Sequence, residues 1–141
     1  MIKTEPINIS VILSSKFWQK APKAKVYVDN ELICDKEITE KTKVNWSGNI
    51  AEGEHVLTVE LYDKDKYQTV IEDDKIVKDQ LLNIDSVVFD DIDIGYLKHS
   101  LSEYHPNNDT TVIKQCVNLG VNGKWELKFT TPIYIWLLEN M

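Results

Sequence analysis

Residues 53–62, Gly-Glu-His-Val-Leu-Thr-Val-Glu-Leu-Tyr, set Leu57, Val59 and Leu61 against Thr58, Glu60 and Tyr62. A side-chain period of two belongs to a strand with one face on a core and the other in water. Residues 81–94 repeat the pattern after a polar, acidic stretch, with Leu82, Ile84 and Val88 assigned to one face. Two long strands joined by such a stretch point to a β-sandwich.

The rest of the chain supplies the remaining strands. Ile7, Ile9, Val11 and Leu13 alternate with polar residues, after a start that reads as frayed through Pro6. Residues 25–29 and 31–38 read as a hairpin about Asp29-Asn30, since Asn tolerates a left-handed backbone. Val44 and Trp46 share a face of a strand expected to end at Ser47-Gly48-Asn49. Asp73-Asp74 is expected to turn a small excursion that pairs 69–71 with 76–77, and Asp90-Asp91 to turn or kink the chain. Tyr96, Leu97 and Leu101 suit one helical turn, and 112–119 suits a strand. Asn122-Gly123 is the strongest hairpin signal, in type I′ form. Residues 131–138 are dense in apolar side chains and fit a short helix or a last strand equally. Eight or nine short strands with turns between them give the expected fold: all-β, one antiparallel sandwich of jelly-roll type over residues 1–141, with at most one or two short helices.

Charge narrows the partners. The net charge is −7, with 23 acidic residues against 16 basic ones, and every basic residue is lysine. Arginine supplies the fork that grips phosphates and guanine edges, so an acidic chain without it is not expected to bind nucleic acid. No apolar run is long enough to span a bilayer, and the first residues do not read as a secretory leader. Two cysteines, Cys34 and Cys116, are too few for a disulfide framework and suit small buried apolar positions.

Three groups of residues bear on function. Asp63 and Asp65 follow the central strand, with Asp73, Asp74 and Asp79 close behind. Calcium takes six to eight hard oxygens, and carboxylates on a loop at a sheet end supply them; a solvated charged loop is the competing reading. An EF-hand does not fit, because Gln68 stands where its glycine belongs. Asp91 lies in a second acidic patch. Trp18 and Tyr67 sit in connections, where an exposed ring stacks on the apolar face of a sugar. Trp46 and Trp125 alternate in phase with core positions, and Trp136 belongs to the apolar end, so all three are expected to pack. His55 reads as an edge or core histidine. No nucleophile–histidine–carboxylate set and no phosphate loop stand out, so no catalytic residue and no enzyme activity are expected.

The segment "GEHVLTVELYD", the polar loop and "LLNIDSVVFDDIDI" together resemble carbohydrate-binding modules of the calcium-dependent, xylan-binding kind. The resemblance matches Asp63 to the family's calcium-binding loop aspartate and brings Asp91 near its final aspartate. Tyr62 stands where the family has asparagine. The wider chain, with "YDKDKYQTV", "GYLKHSLSEYHPN" and "NGKWELKFTTPIYIWLLEN", is similar to small proteins of contractile-tailed marine phages. That likeness implies a virion-associated or accessory role. The expectation is therefore a non-catalytic structural protein, in a virion or the host cytoplasm, bound to other virion proteins or to itself. The alternative is a carbohydrate-binding module, with or without calcium, in which Trp18 and Tyr67 contact the glycan and Asp63, Asp65 and Asp91 the metal.

Overall fold

The computed structural model describes residues 3–141. Thirteen strands form two antiparallel sheets and a small separate hairpin. They are β1 (Thr4–Lys16), β2 (Lys23–Val28), β3 (Glu31–Glu37), β4 (Thr42–Ala51), β5 (Gly53–Tyr62), β6 (Val70–Glu72) and β7 (Lys75–Lys78), then β8 (Leu81–Phe89), β9 (Ile92–Asp93), β10 (Ser102–Pro106), β11 (Ile113–Lys114), β12 (Asn118–Leu119) and β13 (Gly123–Thr131). Two helices, α1 (Leu97–Ser100) and α2 (Ile133–Asn140), complete the chain, with a single 3-10 turn at Lys66–Gln68. One sheet runs β12-β8-β1-β4, with β9 paired to β8. The other runs β11-β10-β13-β5-β2-β3, and β6 pairs only with β7. This is the expected sandwich of jelly-roll type, with two short helices.

The inward faces share one apolar cluster. Ile7, Ile9, Val11 and Leu13 of β1, Leu57, Val59 and Leu61 of β5, and Trp125, Leu127 and Phe129 of β13 are all buried. The two strands that anchored the sequence reading lie in opposite sheets, so the polar stretch between them crosses from one layer to the other.

Several boundaries differ from the expectation, each for a local reason. β1 starts at Thr4, pairing Thr4 with Ala51 and Pro6 with Asn49. The amide of Asn8 points toward β8, where it donates to Asp90 Oδ1 at 2.8 Å. Two residues earlier Pro6 faces the same way, but β8 reaches β1 only from Ile9 onward, so the missing N–H costs no ladder bond. β4 runs on past Ser47-Gly48-Asn49. A Cβ at Gly48 would lie 2.9 Å from the Trp46 ring, so the glycine makes room for a half-buried tryptophan.

In β8 the register slips opposite Ile12 and Leu13, leaving Asp85 as the extra residue of a bulge. The phase flips there: Val87 and Phe89 are buried, and Val88 is not fully buried. The single strand expected over 112–119 is instead β11 and β12, in different sheets. Gln115, at φ 59, turns the chain between them. Both cysteines are half-buried against the core.

The Asn122-Gly123 pair is not a hairpin turn. β12 pairs with β8 and β13 with β5 and β10, so the chain crosses between sheets here. Gly123 is needed because a Cβ would come within 2.5 Å of the His105 carbonyl. The left-handed pairs fall elsewhere. Asp29-Asn30, Asp73-Asp74 and Asp90-Asp91 have positive φ at both residues and close β2–β3, β6–β7 and β8–β9. Short polar side chains tolerate that conformation, and two-residue hairpins with a right-handed twist need it.

The apolar end is a helix. Ile133, Trp136 and Leu137, at helical spacing, fold back onto the sandwich and are buried, while Tyr134, Ile135 and Leu138 face outward. Glu5 Oε1 accepts the first free helix amide, from Ile133, at 2.9 Å.

Candidate functional site

Three segments converge where β5 ends: the residues after Tyr62, the residues before Leu81 and the residues before Gly123. Asp63 takes a left-handed φ of 59° and reverses the chain. The next residue is tied in by the side chain of Asn122. Its Oδ1 accepts from the Lys64 amide at 2.9 Å and its Nδ2 donates to the Lys64 carbonyl at 2.9 Å. A side-chain amide is here used as one rung of a sheet.

Lys64 turns inward. Its ammonium donates to Asp79 Oδ1 at 2.6 Å and to the carbonyl of Gly120. The side chain is 6% exposed, against 20% for Asp79. Asp79 Oδ1 also accepts from Thr69 Oγ1 at 2.6 Å and from the Gln80 amide at 2.8 Å. Burial alone would raise the Asp79 pKa. The hydrogen bonds from Lys64, Thr69 and the Gln80 amide, with the Lys64 charge, more than offset it and hold the carboxyl below its ordinary value. Asp63 is similarly engaged. Its Oδ2 lies 2.8 Å from Lys23 Nζ and 3.9 Å from Lys20 Nζ, and the Lys23 hydrogen bond, with the charges of both lysines, lowers its pKa. Asp65 caps the 3-10 turn by accepting from the Tyr67 amide at 2.9 Å.

Outside this polar base lies an open cleft of about 780 Å³. Ile71, Pro106, Ile113 and Val121 form its apolar walls, and Lys66 and Asn108 are among its polar groups. The volume lies within the range of small-molecule sites, and apolar walls with a few polar groups are their usual makeup. Trp18 and Tyr67 come to the same end. The Trp18 indole donates to the Gln68 carbonyl at 2.9 Å, and Lys78 Nζ lies 4.6 Å from its ring centroid. One ring face is therefore already covered. Tyr67 is 69% exposed, with Lys66 Nζ 5.3 Å from its ring centroid, and neither aromatic ring lines the cleft itself.

Asp91 is not part of this cluster. It lies past the far end of β8, whose nine residues carry the chain roughly 25–30 Å from Leu81 at about 3.3 Å per residue. It is exposed in the β8–β9 turn, where its φ of 67° accounts for its presence. No single ion reaches Asp63, Asp65 and Asp91 together. Among the described residues no group of three or more His, Cys, Asp or Glu side chains is placed to hold a metal ion.

A smaller hollow of about 420 Å³ lies at the opposite end, lined in part by His55, Asp29, Lys128 and Trp136. His55 is nearly buried. Nδ1 meets Asp29 Oδ2, and Nε2 lies 2.5 Å from the Ala51 carbonyl. Asp29 Oδ1 also accepts from the Val56 amide at 2.9 Å. Both ring nitrogens are thus engaged within the fold. The arrangement pins the β2–β3 turn to β5 and β4.

Of the residues singled out in the sequence, Asp63, Asp65, Trp18 and Tyr67 lie at the Asp63 end, where only Asp65 lines the cleft; Lys64 and the Asn122 side chain, which also line it, were not singled out. The Asn-Gly pair marked Asn122, but for its backbone and not for its amide. Nothing in the sequence distinguishes Lys64 from fifteen other lysines.

No family model matches the chain, and no curated protein matches it in sequence. Solved structures do match its fold. The selenomethionine form of vCBM60, described among calcium-dependent carbohydrate-binding modules, superposes with a TM-score of 0.57 at 13% identity, over 86% of this chain and 89% of that one. The same module in complex with galactobiose gives a TM-score of 0.54 at 10% identity, over 85% and 96%. The chain thus shares its β-sandwich fold with that module. Neither match bears on a phage virion role, so virion partners and a virion or host-cytoplasm location rest on the sequence resemblance alone. No described helix is long and apolar enough to cross a membrane. Of the carboxylates expected to hold calcium, Asp63 faces Lys20 and Lys23, and Asp91 lies at the far end of β8.

Proposed function

We propose that this chain is a non-catalytic carbohydrate-binding module whose ligand occupies the cleft between the 66–72 segment and the 106–122 segment. The observation that carries this reading is the cleft itself, apolar-walled and polar-edged, at one end of a sandwich shared with vCBM60. Ile71, Ile113 and Val121 would contact the carbon faces of sugar rings, and Lys66 and Asn108 would hydrogen-bond hydroxyls. Each ring has a lysine over one face, and Tyr67 is the better stacking platform because it is 69% exposed against 37% for Trp18, whose N–H is engaged. A glycan array followed by calorimetry tests the proposal, with galactobiose among the probes. Binding should be lost in Tyr67→Ala and Ile113→Asp with melting unchanged. A folded protein that binds no glycan on the array, with or without calcium, overturns it.

A second reading, contact with another protein or with a second copy, is favoured by the outer face of α2, where Tyr134, Ile135 and Leu138 are 54%, 53% and 82% exposed. Light scattering after size exclusion tests self-association. An oligomer that dissociates in Leu138→Asp supports it, and a monomer at all concentrations removes that form of it. Truncation after Thr131 is no test, because it also deletes buried Ile133, Trp136 and Leu137.

A further inference from the structure

We infer that this chain uses its own lysine ammonium groups where a divalent cation would otherwise organise the loops, so that the Asp63 end is built without calcium. The inference holds whether or not the cleft takes a glycan. Asp79 Oδ1 and the Gly120 carbonyl are hard oxygens from two different segments, of the kind calcium gathers. Between them sits Lys64 Nζ, within hydrogen-bond reach of both. Its backbone is fixed on both sides by Asn122, so the ammonium is delivered to that point by the fold. A cation entering there would have to displace a buried ammonium, or approach it at short range where water screens little.

Charge balance argues the same way. The carboxylates of Asp63 and Asp79 face the ammonium groups of Lys20, Lys23 and Lys64, leaving no negative excess between them to attract a metal. Asp65 and Asp109 each spend an oxygen on a backbone amide, of Tyr67 and Thr111. A tethered ammonium supplies a single charge and directed hydrogen bonds. It cannot dissociate, so the loops do not depend on the free metal concentration.

The test compares melting temperature in excess chelator and in millimolar calcium, for wild type and for Lys64→Met. Wild type should melt at the same temperature in both. Lys64→Met should melt several degrees lower in both, with faster hydrogen exchange at the amides of Lys64 and Gln80. The inference is overturned if calcium raises the wild-type melting temperature, if calorimetry records heat on adding calcium to wild type, or if Lys64→Met melts like wild type. If Lys64→Met does not fold, the wild-type calcium titration still decides the question.

Discussion

The two ends of the sandwich are closed by different physics. At one end α2 lays Trp136 against Phe89 and Phe129, with centroids 5.8 and 6.4 Å apart in edge-on geometry. Closure there is mainly apolar and covers the core, although the His55–Asp29 contact and a hollow of about 420 Å³ lie beside it. At the other end the chain is held by directed contacts: Lys64 to Asp79, Lys23 to Asp63, and the Asn122 amide to the Lys64 backbone. Such contacts fix geometry without filling space, and a cleft of about 780 Å³ stays open beside them. Apolar packing stabilises most where water is fully excluded, whereas polar closure lets a surface be both ordered and hollow.

This contrast is broken most directly at the apolar end. Trp136→Ala should cost about 3–5 kcal/mol, the usual range for emptying a large buried aromatic site. Denaturant unfolding measures it, and a loss under 1 kcal/mol would mean that α2 is not part of the core. Gly123→Ala should cost roughly 1–3 kcal/mol, because the new methyl meets backbone at His105 and not a movable side chain. Chemical denaturation of that variant separates the close-approach role of Gly123 from a turn role, which Ala would tolerate poorly only at positive φ.

The polar end should be the acid-sensitive one. Asp79 has its folded pKa held below 3.8, so its contribution is present above that value and lost as pH falls through the folded pKa. Amides near Lys64 and Gln80 should therefore lose exchange protection in acid before those of β13 do. In Asp79→Asn that difference should vanish, and equal acid sensitivity at both ends would remove the distinction. The smallest effect belongs to the exposed ring. Tyr67→Ala should change stability by no more than about 0.5 kcal/mol, since little is buried there. A larger loss in a melting experiment would make Tyr67 a packing residue and not a ligand platform.

The sandwich was legible because strand alternation is written in single residues. Leu57, Val59 and Leu61 are buried as their spacing requires, and so are Trp125 and Trp136. The phase of β8 was not, because a bulge at Asp85 depends on the partner strand. Nor was the split of 112–119 into two sheets, since Gln115 carries no mark of a left-handed residue. Trp18 and Tyr67 were singled out from their place in connections, and both come to the Asp63 end without lining the cleft. Asn122 was misread because its amide acts on a segment 58 residues away, and local turn statistics say nothing of that contact. Asp91 was grouped with Asp63 through the family resemblance, whereas β8 between them carries it to the opposite end.

The paired left-handed aspartates carry one more implication. Asp73, Asp74 and Asp91 stand at hairpin corners for a conformational reason, and Asn or Gly satisfies the same backbone. Exchanging these three would shift the formal net charge from −7 to −4 while leaving the strand connections as they are. The acidity of this molecule is to that extent a by-product of its bends, adjustable for solubility or surface adsorption without redrawing the architecture.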